Sequence, residues 1–206
     1  MVKLNKILWI ILSILIGCAA HKVETVNTHG LEITEVSPDK QTAITKQNLY
    51  HLAQVYELEP FLFAKKIRIN AIEEPGPSNI LTVHTRYANQ PNKLLSQWLH
   101  AELHFWARLN AKKMAAAIQE LKTLYPNPSL ESKPGDNYSI FPHLIICFLE
   151  FEALAYFLGK NQAISIITDF MKDDKILPWT YSQVLTNSDP IRKIIEKYEL
   201  MPAPLI

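Results

Sequence analysis

The sequence predicts a mainly α-helical (α+β) domain with a small β element near its N-terminal side. The 206 residues are 48% hydrophobic and 20% charged, which is the composition of a folded globular protein. From residue 47 onward, apolar residues recur densely and mostly at the spacing of amphipathic helices. The short runs typical of strands lie at 31–36, 64–72 and 80–86, all in the first half of the chain.

The chain opens with the pattern of a secretory leader. Lys3 and Lys6 precede an apolar run at residues 7–16, which is the order of charge and hydrophobicity that such leaders share. The run is shorter than about 18 residues, the length at which an apolar segment indicates a membrane-spanning helix. We therefore predict a signal peptide rather than a permanent transmembrane anchor.

A cysteine follows this apolar run directly. The segment Leu15-Ile16-Gly17-Cys18 resembles the lipobox of bacterial lipoproteins. The resemblance implies a signal peptide over residues 1–17, acylation of Cys18 with chains such as palmitate, and attachment to a membrane through that lipid. Ala19 is similar to an outer-membrane sorting signal, which implies a cell-envelope protein at the outer membrane, facing the periplasm. A plain signal peptide, or an uncleaved anchor with a chance cysteine, is the alternative.

The elements of the mature chain follow from local composition and periodicity. Residues 18–46 are polar and rich in Thr, so we predict a tether with one strand, and residues 47–206 are predicted to form the domain. Proline fits the first turn of a helix and Gly159 fits a helix end. The predicted elements are a helix at 48–56, strands at 64–72 and 80–86 around the turn Glu74-Pro75-Gly76-Pro77, and helices at 91–108, 110–124, 141–158, 162–171, 178–185 and 190–198.

Composition also excludes several functional classes. The formal net charge of +1 gives no electrostatic reason to expect a polyanion, so no nucleic-acid partner is predicted. Five glycines and two cysteines exclude a collagen-like chain and a disulfide framework. The sequence contains no phosphate-binding glycine loop, nucleophile elbow or Rossmann fingerprint.

Two histidines lie one turn apart in the predicted helix at 91–108. At about 100° per residue, the imidazoles of His100 and His104 are about 40° apart and can bind one metal ion together. A helical His-x-x-x-His pair begins the zinc site of zincin metallopeptidases, in which the third ligand comes from another segment and water occupies the fourth position.

More than the histidine pair resembles that class. The sequence WLHAELHFW at 98–106 is similar to the HExxH element of zincin-like bacterial proteins, and LTVHTR at 81–86 and LEFEA at 149–153 are similar to one uncharacterised group among them. The resemblance covers about residues 65–200. It implies a zincin-like helical domain, a zinc cofactor with Glu150 as the third ligand, and a peptide or another envelope protein as partner.

The sequence departs from the zincin pattern at the catalytic position. A zincin has Glu directly after the first histidine, where it takes a proton from the metal-bound water, and this chain has Ala101. Glu102 projects about 180° from the midpoint direction of the histidine pair, so it cannot replace the missing base. Either another group performs that step or peptidase activity is impaired or lost.

A second helix offers further candidates. At about 100° per residue, His143, Cys147 and Glu150 fall within about 60° of one another on the predicted helix at 141–158. This helix is mostly apolar, so a carboxylate within it needs a partner, which is either a metal ion or a buried Lys or Arg. His143 is the candidate for a replacement base or for a residue that supports a metal ligand, since an imidazole accepts a proton near neutral pH.

Three functional hypotheses follow. The first is a lipid-anchored, zincin-like domain that binds zinc through His100, His104 and Glu150, with impaired or lost peptidase activity. The second is a metal-free envelope lipoprotein that acts as a binding or structural module, with both histidines on the wet face of an amphipathic helix. The third is an active metal-dependent hydrolase that uses His143 as its base.

Overall fold

Helix α4, Ile140–Leu158, lies at the centre of the fold. The computed structural model describes residues 30–71, 80–128, 140–174 and 177–206, and twelve of the nineteen residues of α4 are buried among them. A helix that is apolar nearly all round is buried on every side. The helices that pack against it are α2 (Pro91–Leu109), α3 (Ala111–Leu124), α5 (Lys160–Asp169), α6 (Pro178–Thr186) and α7 (Ser188–Lys197).

The small β element is a three-stranded parallel sheet. Its strands, in sheet order, are β1 (Glu32–Glu35), β2 (Lys66–Asn70) and β3 (Leu81–His84), and helix α1 (Lys40–Val55) connects the first two. Alternate residues point into the core, where Ile33, Ile67 and Val83 are almost fully buried. This arrangement confirms the predicted fold class, a mainly α domain with a small β element near its N-terminal side.

The folded part of the chain begins earlier than the sequence predicted. The strand predicted at 31–36 is present as β1, but the first residues of α1 also lie within 18–46, the stretch assigned to a polar tether, and Leu31 belongs to the core. The reason is that α1 buries threonines as well as apolar residues. The hydroxyl of Thr45 donates to the carbonyl oxygen of Gln41 over 2.8 Å, so a buried residue that looks polar in the sequence is satisfied within its own helix.

The helix bounds agree closely with the periodicity, apart from α1 and α5. Helix α1 begins at Lys40 rather than at residue 48, and Asp39 caps it by accepting a hydrogen bond from the backbone N–H of Thr42. Helix α5 begins at Lys160, directly after Gly159, and a π-helical turn at Phe170–Asp174 follows it. Short 3₁₀ turns lie at Glu59–Phe61, Thr85–Tyr87 and Ala203–Leu205.

Two predictions concern residues outside the described ranges. The signal peptide at 1–17 with the lipidated Cys18, and the turn Glu74-Pro75-Gly76-Pro77, both lie there. Of the described helices, α4 has the length and hydropathy that crossing a membrane requires, but 61% of its apolar window is buried inside the fold. Core helices of soluble proteins meet the same criterion, so α4 by itself is weak evidence for a membrane span.

Candidate metal centre

Helix α2 places His100 and His104 side by side at the edge of the core. Leu99 and Leu103 fix the buried stripe of the helix, and the two histidines lie next to that stripe, partly exposed. The Nε2 atoms of the two imidazoles are 3.1 Å apart and their ring centroids are 4.8 Å apart. Two nitrogens at this distance either share one hydrogen or direct two lone pairs at one cation.

The separation of the two nitrogens is close to that of ligands in a zinc site. Zinc bonds to imidazole nitrogens at about 2.0 to 2.1 Å, which places two nitrogens of a tetrahedral site about 3.3 Å apart. The spacing of His100 and His104 along α2 therefore produces the juxtaposition that the sequence predicted.

His143 brings a third imidazole to the pair. It comes from the first turn of α4 and is only 8% exposed, and its ring centroid lies 5.0 Å from that of His104 and 6.0 Å from that of His100. One nitrogen from each of the three histidines lies within 4.8 Å of the others. The three side chains therefore form a group that could hold a metal ion.

The pKa of His104 reflects this crowded, buried position. Burial, which is the largest cause, and the positive charges that His100, His143 and Arg108 would carry together lower it to about 2. The imidazole of His104 is therefore neutral at physiological pH. A neutral imidazole has one nitrogen lone pair available to a metal.

Glu150 contacts the edge of the His100 ring that faces away from His104. Its carboxylate is 1% exposed and accepts three hydrogen bonds. Nδ1 of His100 and the hydroxyl of Tyr181 each donate to Oε2 over 2.8 Å, and the hydroxyl of Ser96 donates to Oε1. No Lys or Arg among the described residues pairs with Glu150, so the alternative of a buried ion pair with such a residue is not found there.

The predicted ligand set of His100, His104 and Glu150 is divided between two groups. The first contains the three histidines, and the second contains His100, Cys147 and Glu150. His100 belongs to both, because its Nε2 faces His104 and its Nδ1 faces Glu150. The predicted side chains therefore lie close together. Glu150 contacts Nδ1 of His100, on the ring edge away from His104, whereas His143 lies next to the pair formed by His100 and His104.

The contacts of Glu150 include a partner that the sequence did not suggest. Ser96 lies four residues before His100 on α2 and is fully buried, so the helical spacing that selected the histidines also places its hydroxyl on their face. Tyr181 lies on α6, and its hydroxyl also contacts the carboxylate. Burial raises the pKa of Tyr181 well above its ordinary value, with repulsion from Cys147 and Glu150 adding to the effect, so the phenol stays a donor.

Glu102 lies away from the histidine pair, as its position on the helix predicted. It is 1% exposed and accepts hydrogen bonds from the backbone N–H groups of Phe63 and Ala64 and from the indole of Trp98. Burial raises its pKa to about 7, against the opposing effect of these hydrogen bonds. Glu102 therefore holds α2 to the segment before β2 and has no contact with the candidate ligands' nitrogens.

A pocket of about 120 Å³ opens on the carboxylate side of His100. Besides His100, it is lined by Glu150 and Tyr181, by the aromatic rings of Tyr87 and Phe170, and by Arg86 and Gln97. Neither His104 nor His143 lines it, so the pocket borders the contact between His100 and Glu150 and not the other two histidines.

No protein-family model, curated protein or solved structure matches this chain. The similarity to zincin-like proteins therefore stays an expectation based on the motif residues. The geometry of the histidines and of Glu150 is the basis for assigning a function.

Proposed function

We propose that this chain is a lipid-anchored zinc-binding protein of the cell envelope in which His100, His104 and His143 hold the ion and peptidase activity is impaired or lost. The observation that carries the proposal is the convergence of three imidazoles, with two Nε2 atoms 3.1 Å apart. Three histidines and one open position form a common set of ligands for zinc.

The contact between Glu150 and His100 supports this assignment. A metal-binding histidine usually donates its other ring N–H to a carboxylate, which fixes the tautomer and the orientation of the ring. His100 does this, since its Nδ1 donates to Glu150 while its Nε2 faces His104. We therefore assign Glu150 as the carboxylate partner of a ligand rather than as the third ligand.

The other group, which contains His100, Cys147 and Glu150, is less suited to a metal. Cys147 is completely buried, and a thiol must lose its proton before it binds a metal. The carboxylate of Glu150 already accepts hydrogen bonds from Ser96 and Tyr181, which a metal would have to compete with.

Ala101 is the reason why we propose impaired peptidase activity. Bound zinc supplies a Lewis acid that activates water and polarises a carbonyl group. Peptide hydrolysis also needs a group that takes a proton from the water and gives one to the leaving amine. Ala101 has only a methyl group, which packs against the core and cannot transfer a proton. The carboxylate of Glu102 is hydrogen-bonded to the backbone N–H groups of residues 63 and 64, so it does not serve as this group either.

The first experiment measures the zinc content and zinc affinity of the purified full chain. We expect one zinc ion per chain, its loss in His104→Ala, and its retention in His51→Ala, which removes an exposed histidine of α1. A wild-type protein that contains no zinc, and whose melting temperature does not change when zinc is added, contradicts the proposal and favours the metal-free binding module.

Cobalt substitution distinguishes the two possible donor groups. Co²⁺ bound to a thiolate gives an intense charge-transfer absorption, whereas Co²⁺ bound only to imidazoles and water does not. We expect no such absorption, and an unchanged cobalt spectrum in Cys147→Ala. A thiolate absorption that disappears in this variant would instead assign the ion to His100, Cys147 and Glu150.

His143 separates the proposal from an active hydrolase. As a ligand, His143 is required for zinc binding, so His143→Ala loses the ion. As a base, it is required only for turnover, so the variant keeps the ion and loses hydrolysis of a peptide library. The second result supports the hydrolase hypothesis instead.

The anchor is tested separately from the metal. Full-length protein expressed in a double-membraned bacterium should incorporate labelled palmitate and fractionate with the outer membrane. Cys18→Ala should abolish the label and release the protein from that fraction. Labelling that persists in this variant contradicts acylation at Cys18.

A further inference from the structure

We infer that Tyr181 and Ser96 are positioning residues of the zinc site, acting on His100 through Glu150. This inference rests on the proposed function, because it concerns how tightly and in what geometry the ion is held. Neither side chain is among the three proposed ligands, and together they connect α6 and α2 to the carboxylate on α4.

The hydrogen bonds restrain both oxygens of the carboxylate. Oε2 of Glu150 accepts from Nδ1 of His100 and from the hydroxyl of Tyr181, each over 2.8 Å. Oε1 accepts from the hydroxyl of Ser96. Rotation of the carboxylate would break bonds to all three donors, so Tyr181 and Ser96 determine which oxygen faces His100 and at what angle.

Burial makes these two donors hard to replace. Ser96 is fully buried, Tyr181 is 2% exposed and Glu150 is 1% exposed. A buried carboxylate that loses a donor incurs a desolvation cost unless water enters or the carboxylate turns to another partner. Because Nδ1 of His100 is one of the partners that remain, any such turn moves the imidazole whose Nε2 faces the proposed ion.

The hydrogen bonds to Glu150 determine which tautomer His100 adopts. A carboxylate that only accepts requires the hydrogen on Nδ1, which leaves the lone pair on Nε2, the atom 3.1 Å from Nε2 of His104. Removal of partners in such a carboxylate–histidine arrangement typically weakens metal binding by about 10- to 100-fold.

The test compares the zinc dissociation constants of full-length variants, measured by competition with a chromophoric chelator. Tyr181→Phe keeps the ring, which packs 6.3 Å from that of Phe170, and removes only the hydroxyl. We expect zinc binding up to about tenfold weaker in Tyr181→Phe and in Ser96→Ala, the lower end of the range for direct partners of a ligand, because both act one hydrogen bond further from the ion. Tyr198→Phe is the matched control, because its hydroxyl donates to the carboxylate of Glu120 over 3.0 Å, away from the histidines.

Two further measurements separate positioning from a general loss of structure. The ligand-field absorption of bound Co²⁺ should shift in Tyr181→Phe and stay unchanged in Tyr198→Phe, because the absorption reports on ligand geometry. In a Glu150→Gln background, Tyr181→Phe should weaken zinc binding much less than it does alone, since its effect passes through the carboxylate.

The outcomes distinguish this inference from the proposed function. A wild-type chain that binds no zinc overturns both. A wild-type chain that binds zinc, together with dissociation constants and cobalt spectra unchanged in Tyr181→Phe and Ser96→Ala, overturns the inference alone. If one of the two variants fails to fold, the other still decides, because each acts on a different oxygen of Glu150.

Discussion

The carboxylate of Glu102 accepts a hydrogen bond from the backbone N–H of Ala64 over 2.8 Å, on the side of α2 opposite to the histidine pair. The neighbouring N–H of Phe63 donates to the same oxygen over 2.9 Å. Two backbone donors of a partly buried segment are thereby satisfied by one side chain of the helix that carries the proposed ligands. The acidic residue nearest to the histidines in sequence thus serves the fold rather than the chemistry.

Glu102→Gln should destabilise the protein by about 1 to 3 kcal/mol. The carboxylate accepts from the backbone on Oε2 and from the indole of Trp98 on Oε1, so an amide group must turn its NH₂ toward one of these donors. The free energy of unfolding, measured in urea, checks the loss. Zinc stoichiometry should not change, because Glu102 is not a ligand.

The matched control for this variant is Glu196→Gln on the surface of α7. Glu196 is 56% exposed and lies 3.9 Å from Arg192, so its replacement should change stability by no more than about 0.5 kcal/mol. A folded Glu102→Gln protein that has lost its zinc would instead place Glu102 in the metal site.

Zinc should stabilise the folded chain by an amount that rises with the logarithm of its free concentration above the dissociation constant. A ligand that binds only the native state contributes about 2.7 kcal/mol at 100 times its dissociation constant. For a protein of this size, 1 kcal/mol corresponds to about 2 to 4 °C, so the melting temperature should rise by about 5 to 11 °C. Differential scanning calorimetry, with and without a chelator, measures the shift. An equal shift in wild type and His104→Ala would mean that zinc binds elsewhere.

The parts of this protein that could be predicted from sequence are those fixed by a local pattern. Helices α2, α3 and α4 have strong apolar periodicity and clear start or stop residues, and their bounds agree with prediction to within one or two residues. Helix α1 begins eight residues earlier than predicted because its buried face includes threonines. Parallel pairing of β2 with β3 also depends on contacts beyond the local sequence.

The candidate site also contains a part that the sequence predicts and a part that it does not. The spacing of His100 and His104 along one helix determines their proximity, so the sequence alone predicts it. The positions of His143 and Glu150 relative to that pair depend on how α4 is rotated and shifted against α2, which no pattern within either helix specifies. Helical spacing therefore selected side chains of α4 that lie close to the histidine pair, but it left their roles around that pair undetermined.

Ala101→Glu should introduce peptide hydrolysis if position 101 is what limits activity. A glutamate there restores the residue that follows the first histidine in HExxH, and a positioned general base contributes about 10²- to 10⁴-fold to a rate. We expect hydrolysis of a fluorogenic peptide library to rise at least about tenfold above wild type, with unchanged zinc affinity.

Ala101→Gln is the control for that variant, because it adds nearly the same volume next to the partly buried surface of α2 without a proton acceptor. Hydrolysis should stay at the wild-type value in this protein. Equal hydrolysis in the two variants would show that the effect comes from packing and not from a restored base.

The contact between α3 and α7 should make part of the stability depend on pH. Hydrogen bonds from Lys197 over 2.6 Å and from Tyr198 over 3.0 Å hold the pKa of Glu120 below its ordinary value of 4.5. A lowered pKa means that the folded state binds the proton more weakly than the unfolded state, so this stabilisation is present above pH 4.5 and is lost as the pH falls through the lowered pKa. Glu120→Gln should therefore lower the urea midpoint at neutral pH and leave it unchanged well below pH 4.5.

Because the pair formed by Glu120 and Lys197 is on the surface, added salt should reduce the difference between wild type and Glu120→Gln at neutral pH. A difference that persists in acid would show that the carboxylate charge is not its source.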